Sequence, residues 1–515
     1  MLNRRGFFLD LARFAALGAT TPNLWRLRWN PRFADDPFTL GVGSGDPTHN
    51  SVILWTRLAP RPLDLDGGMG DARPVVRWEI SRDARFTQIV RRGTATATPE
   101  LGHSVRIDVS GLRSDWWYFY RFMSGDAVSP TGRTRTTPDS GSQRPLTFAF
   151  ASCQHFEQGL FTAYAHLAQE PVDLVAHLGD YIYEYGPGTA ATNVRQHVGQ
   201  EIRTLGDYRR RYAQYKSDGF LKDAHARCPW SVIWDDHEVH NNYSSFDTDS
   251  LAATRELQRE RRAAAYQAWW ENQPVRIPAT KTWADLRIYR SMNWGRTAQF
   301  WALDERQYRW DQACGDGNRP IPCGDYADPK RAMLGDAQVS WLEKGMSRSD
   351  ARWQVLSNQV TLSPPDVRAK DGDRVDMDKW SGYPAEQDRV LAAIAKHAPA
   401  STVVLTGDIH NNWVYDVRRG FDTAERPVIA TEFIGTSISS GGDGADTIAR
   451  VTPEFLAARP SLKWANNRRG YVVCSVTPDE WRAEYRTVPY VRAHGAPVDT
   501  ASKWRIERGR SVERV

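Results

Sequence analysis

Residues 230–243 read WSVIWDDHEVHNNY, an apolar, β-prone run from Trp230 to Trp234 that breaks off into Asp235, Asp236, His237 and Glu238. In open α/β sheets, ligands collect just beyond the carboxyl ends of strands, so a strand ending in acids and a histidine deserves a chemical reading. The pattern occurs three more times. Residues 146–151 run into Ser152, Cys153 and Gln154; residues 172–178 into Gly179, Asp180, Tyr181, Ile182, Tyr183 and Glu184; residues 402–406 into Gly407, Asp408, Ile409 and His410. One such aspartate alone is an ordinary turn or cap residue. Four strands delivering acids, His, Cys and Tyr in this way predict a site that holds metal. Both Gly-Asp pairs have a rationale: glycine lets the chain turn sharply, and the next carboxylate can bridge two cations ~4 Å apart, the spacing of two-metal hydrolysis.

Working outward, apolar strands alternate with helical patterns at 162–169, 254–272, 336–347 and 385–397, the texture of α/β layers. Further strands are expected at 231–234 and 353–357. Upstream, residues 38–137 are short alternating runs such as SVILWT (51–56), VVRWEI (75–80) and WYFYRF (117–122), broken by Gly, Pro and Asp. Such spacing predicts an all-β sandwich similar to fibronectin type III modules. The polar stretch 138–143 reads as a linker. The expected organisation is a leader over 1–34, a β-sandwich over 35–138 and a catalytic domain over 144–515.

The chain has 515 residues, 41% hydrophobic and 25% charged, which is ordinary for a globular protein. Its net charge of +5 is spread among interleaved acids and bases, which suits an anionic substrate and gives no sign of specific nucleic-acid binding. The run RELQRERR (255–262) reads as a solvated helix face, and residues 503–515 as a frayed terminus. Arg4-Arg5 followed by the apolar segment 15–19 has the layout of an export signal of twin-arginine type. Delivery by the twin-arginine machinery to the periplasm, cell wall or exterior is therefore expected. No stretch has the ~18 apolar residues of a membrane span. Five cysteines are an odd number. Cys314 and Cys323 flank CGDGNRPIPC and can close it as a disulfide, which fits an oxidising compartment; Cys228 and Cys474 lie in or beside apolar runs and read as buried and inert.

The runs HLGDYIYEYG (177–186), WDDHEVHNNY (234–243) and TGDIHNNW (406–413), with SCQ (152–154), WSGYPAE (380–386) and GTSISSGGDG (435–444), resemble the alkaline phosphatase D (PhoD-like) family over nearly the whole chain. The resemblance implies an α/β metallophosphoesterase-like layered sandwich behind the β domain, related to purple acid phosphatases. It also implies hydrolysis of phosphate monoesters or diesters by a metal-held hydroxide, with an iron(III) ion and two calcium ions as cofactors. Carried over by residue, Cys153, Asp180, Tyr183 and one or both of Asp408 and His410 would hold iron. Asp180 would bridge to a second metal, with Asp236 and Asn242 as further ligands. His237 would contact phosphate or protonate the leaving group, or else only orient a ligand; His410 is the other catalytic candidate. Trp380 and Tyr383 are assigned to the substrate wall, with aromatic packing as the alternative. Ser381 and Gln387 stand where the family commonly has Asp and Arg, which puts substrate preference in question. A phospholipid or a nucleotide diester is an alternative to a simple small-molecule ester, through phospholipase D-like chemistry at the same site. A catalytically dead binding module would call for a missing ligand, and every expected ligand position is filled. A haem protein would call for an attachment motif such as CxxCH, which the chain lacks.

Overall fold

A computed structural model describes residues 32–515 apart from 190–192, 246–251, 364–367, 370–371, 421–424, 450 and 458. The expected leader lies almost wholly outside the described residues. Among these residues no helix is long and apolar enough to cross a membrane.

Two mixed sheets face each other. One has ten strands and runs from the C-terminal strands through Arg469–Val476, Leu146–Ala151, Leu174–His177 and Trp230–Val232 to Val42–Gly45, Ser51–Arg57 and Ser104–Ser110. The other has seven, with Ala298–Ala302, Trp353–Ser357, Thr402–Thr406 and Ala430–Ile434 parallel at its centre. These central strands are buried almost throughout, which explains why they read as continuous apolar runs rather than alternating ones. Large rings fill the space between the sheets. Phe148 meets Phe300 edge-on at 5.3 Å, and Trp353 meets Trp481 at 5.8 Å; such pairs add about 0.5–1.5 kcal/mol each beyond the area they bury.

Helices cover the outer faces. Trp230 and Trp234 stack on His225 and Tyr266 of the helices Gly219–Arg227 and Ala252–Asn272. Gly335–Arg348 and Pro384–His397 bring Leu342, Met346, Val390 and Ile394 onto Leu356 and Val404 of the second sheet. The strands and helices expected from periodicity are present, with ends shifted by one or two residues. The RELQRERR run is not wholly solvated. Arg262 is buried and donates to Ala284 O, Ser245 O and Gln307 Oε1, because the helix turns that position toward the core. The C-terminal segment is not frayed either. Asp499–Glu507 and Glu513–Arg514 close the edge of the ten-stranded sheet and bury Trp504 and Ile506. Cys314 and Cys323 are bonded, and Cys228 and Cys474 are buried.

The N-terminal sandwich is present, but one of its two sheets is not its own. A five-stranded sheet around Val75–Ser81 and Trp117–Ser124 packs Val76, Ile80, Tyr118 and Tyr120 against Val52, Leu54, Val105 and Val109. The strands carrying the latter set are the far end of the ten-stranded sheet. Val42–Gly45 joins Trp230–Val232 directly, in parallel, with Gly45 opposite Trp230. The expected boundary at 138–144 therefore separates segments of sequence and not sheets. The seam is tight: a Cβ on Gly45 would lie 2.4 Å from both Pro274 O and Trp230 O. Gly45→Val is expected to push these strands apart at a cost of about 1–3 kcal/mol and to lower the thermal midpoint of the whole chain in one transition. A separate, early transition confined to the sandwich would contradict the shared-sheet argument.

Candidate metal centre

Three strands of the ten-stranded sheet and one of the seven-stranded sheet end side by side. Cys153 N donates to Gly179 O (3.1 Å) and Gln154 N to Asp180 O (3.1 Å), so the first two strand ends are stitched together. An isolated parallel bridge between Ser152 and Ser437 joins the two sheets at this level. Gly179 has φ +102°, and a Cβ there would lie 2.5 Å from Asp235 Cβ; glycine is required so that the Asp180 and Asp235 strand ends can approach. Beyond the strands the backbone is left-handed at Cys153, Asp180, Asn242, Asp408 and His410, with φ between 54° and 65°. An L-residue pays for that conformation, roughly 1 kcal/mol or more each. Concentration of such residues at one place marks where the fold sacrifices local comfort to aim side chains.

The aimed atoms converge. Donor atoms of Cys153, Asp180 and His410 lie within 4.8 Å of one another, as do those of Asp180, Asp236 and His237 and those of Asp235, Asp236 and Asp408. Asp180 belongs to two of these clusters. Tyr183 Oη donates to Asp180 Oδ2 (2.8 Å) and lies 3.2 Å from His410 Nε2 and 2.7 Å from Ser440 Oγ. Asp180 Oδ1 and Asp235 Oδ2 are buried and have no hydrogen-bond partner. Burial, then the Asp180 carboxylate, push the Cys153 thiol and the Tyr183 phenol well above their ordinary pKa values. A metal cation reverses that logic, since it favours the thiolate and phenolate. The orphaned carboxylate oxygens, with sulfur, phenol and imidazole beside them, fit bound metal.

Several residues escaped the sequence reading. Glu238 lies behind the site and accepts from the backbone N–H of Asp180 (3.0 Å), Tyr181 (2.6 Å) and Asp235 (2.7 Å), so one carboxylate fixes two strand ends. Burial and then Asp180 raise its pKa to about 8, while the three N–H groups pull the other way. Glu184 accepts from Asn241 N and lies 2.8 Å from His237 Nδ1. It fixes the imidazole, which stacks on Tyr183 at 4.1 Å. Fully buried Arg306 pairs with Asp235, with Asp236 (3.3 Å), with Asp378 (3.1 Å) and with Asp408 (3.1 Å). Lys379 pairs with Asp408 and Asp378. Glu184, Glu238 and Lys379 lie in or beside the quoted motifs and had a signal there. Arg306 stands alone in LDERQYR and had none.

The structure brings together the expected Cys153, Asp180, Tyr183, Asp236, His237, Asp408 and His410, and places Asn242 beside Asp236 through Asn242 N donating to Asp236 Oδ2 (2.7 Å). His410 is more open than Asp180 or Asp408, its side chain 31% exposed against 3% and 10%. The substrate-wall assignment is corrected. Trp380 and Tyr383 are fully buried in the second core, where Trp380 Nε1 donates to Glu305 Oε1 and Tyr383 Oη to Trp310 O. They pack, because the short turn ahead of the Pro384 helix points both rings inward. Ser381 and Gln387 are buried too, and Gln387 donates to Leu362 O, so these departures alter packing beneath the site.

Residues 148–485 match the PhoD-like phosphatase family and residues 24–138 the PhoD-like phosphatase N-terminal domain. The chain is 44% identical over 511 residues to alkaline phosphatase D of Bacillus subtilis (strain 168), covering 98% of this chain and 87% of that protein. A solved structure of PhoD superposes with a TM-score of 0.90 at 45% identity, over 94% of this chain and 93% of that one. Purple acid phosphatase PPD1 from yellow lupin (Lupinus luteus) seeds shares the fold at a TM-score of 0.57 and 13% identity, over 92% and 75% of the two chains. If Glu238 is the clamp described, Glu238→Gln leaves at least one of three buried N–H groups facing an NH₂. It should cost about 1–3 kcal/mol by denaturant titration; unchanged stability would show that the clamp bears no strain.

Proposed function

The chain belongs to the PhoD-like phosphatase family and is a phosphoric ester hydrolase, and from that premise we propose that it is an exported phosphatase using an iron(III) centre with two calcium ions beside it. The family acts on small-molecule phosphate esters with metal at its site; the metal identities, the ligand set and the export belong to this reading. One observation carries it: Asp180 is shared by two donor clusters and keeps a buried oxygen without a partner, as a bridging carboxylate must. Cys153, Tyr183, Asp180 and one or both of His410 and Asp408 would hold the iron. Asp236 and Asn242 would hold calcium together with Asp180.

Metal in such a site supplies Lewis-acid charge and lowers the pKa of water. The chain's own residues do the rest. His237, its Nδ1 fixed by Glu184, turns its other ring nitrogen free to meet a phosphate oxygen or give a proton to the departing alkoxide. His410, its side chain 31% exposed, lies on the more open side, while buried Lys379 holds Asp378 and Asp408. Arg306, which has no exposed surface, positions carboxylates rather than touching substrate. The phospholipase D-like alternative is not favoured. Export is supported by the Arg4-Arg5 leader pattern and by the Cys314–Cys323 disulfide.

Elemental analysis of protein purified without added metal should find about one iron per chain with calcium beside it; zinc alone would overturn the ligand set. Asp180→Asn should lose the iron and the calcium that share this carboxylate and lower kcat by about 10³-fold, a few kcal/mol of transition-state stabilisation. Full turnover in that variant would sink the bridging role. Turnover of a monoester, a simple diester and phosphatidylcholine, compared on one preparation, separates the substrate classes. Mass analysis of protein recovered outside the cytoplasm tests export: a chain found only inside the cell with its leader intact argues against it.

A further inference from the structure

The loop closed by Cys314 and Cys323 was read from the sequence only as a clip, yet it reaches the site. We propose that Asp316 on this loop is a positioning residue that turns the Asn242 side chain so that its amide oxygen faces the metal, an inference that rests on Asn242 being a metal ligand.

Asn242 Nδ2 donates to Asp316 Oδ2 at 2.7 Å. An ionised carboxylate has no hydrogen to give, so the NH₂ end of the amide must be the end that faces Asp316. The amide is planar, and its oxygen is thereby turned the other way. Asn242 N meanwhile donates to Asp236 Oδ2 (2.7 Å), which holds the residue beside that carboxylate. A ligating amide oxygen gains twice from this arrangement. It loses no time in the wrong flip, and the acid polarises the amide so that its oxygen is a better donor to a cation.

Asp316 is itself held firmly. Its backbone is left-handed, with φ 63°, and its Oδ1 accepts from Gly317 N (2.6 Å). Arg319 folds back onto Asp316 O (2.6 Å) and Gly315 O (2.7 Å). Asn318–Pro320 pairs antiparallel with Gly372–Asp376, and Met377 N donates to Gly317 O (3.1 Å). That second strand leads directly to Asp378 and Lys379 of the site. Just before the loop, Gln312 Nε2 donates to both Asn242 O (2.8 Å) and Asp378 Oδ1 (2.9 Å). The disulfide therefore closes a loop fastened on one side to the Asp378–Lys379 segment and on the other to Asn242.

The test uses the full-length protein and calcium alone as probe, with affinity read by chelator competition, and iron content and circular dichroism read in parallel. Asp316→Ala is expected to weaken calcium about 10- to 100-fold with iron content unchanged. Asp316→Asn, whose amide oxygen can still accept from Asn242, is expected to recover most of that loss. Wild-type calcium affinity in Asp316→Ala, with affinity lost in Asn242→Ala, overturns the proposal and leaves Asn242 as a ligand. Wild-type affinity in Asn242→Ala overturns the ligand reading itself. Loss of iron and of the folded spectrum in both Asp316 variants would make the residue structural and also refute the positioning role.

Discussion

Gathering Asp180, Asp235, Asp236, Asp378 and Asp408 in one largely buried place is the constraint on which the rest of this structure depends. Carboxylates removed from water are costly unless cations or donors meet them. The chain answers with Arg306, Arg309 and Lys379, and with the backbone N–H of Asn242, which donates to Asp236 Oδ2. Asp180 Oδ1 and Asp235 Oδ2 are still left without partners. A metal cation would meet that remaining negative charge, which links the electrostatics of the site to its chemistry.

The same constraint explains the backbone. Side chains from four strand ends in two sheets can meet at one point only if the chain turns abruptly after each strand. Left-handed Cys153, Asp180, Asp408 and His410 perform those turns after three of the strands, and Gly179 makes room for two of the strand ends to touch. Strain of this kind persists only where surrounding structure over-determines it. Here the surrounding structure is Glu238 behind the strands, the 435–444 loop bonded to Cys153 O through Ser440, and the aromatic core between the sheets.

The β-rich N-terminal region enters the same account. By lending Val42–Gly45 to the edge of Trp230–Val232, it buttresses the strand that delivers Asp235 and Asp236. Asp46, at the end of that lent strand, pairs with Arg290 of the second sheet (2.8 Å). The sandwich is thus a support for one wall of the site as well as a separate core.

Much was legible in the amino-acid sequence. Apolar runs ending in Gly-Asp, Asp-Asp-His and Ser-Cys announced both the α/β layers and most of the site, because strand periodicity and the chemistry of ligand side chains are local properties. The pairing of Cys314 with Cys323 was legible for the same reason, nine residues apart. What only tertiary structure decided was long-range. Arg306 lies about seventy residues from Asp235 and from Asp378, and no local pattern marks it. Trp380 and Tyr383 belong to a site motif in sequence yet face the core, because the direction of a ring is set by the packing of the turn that carries it. The sheet shared between the N-terminal strands and Trp230–Val232, and the reach of Asp316 to Asn242, follow from register and closure between distant segments. Those are settled by the energy of the assembled whole and not by any stretch of it.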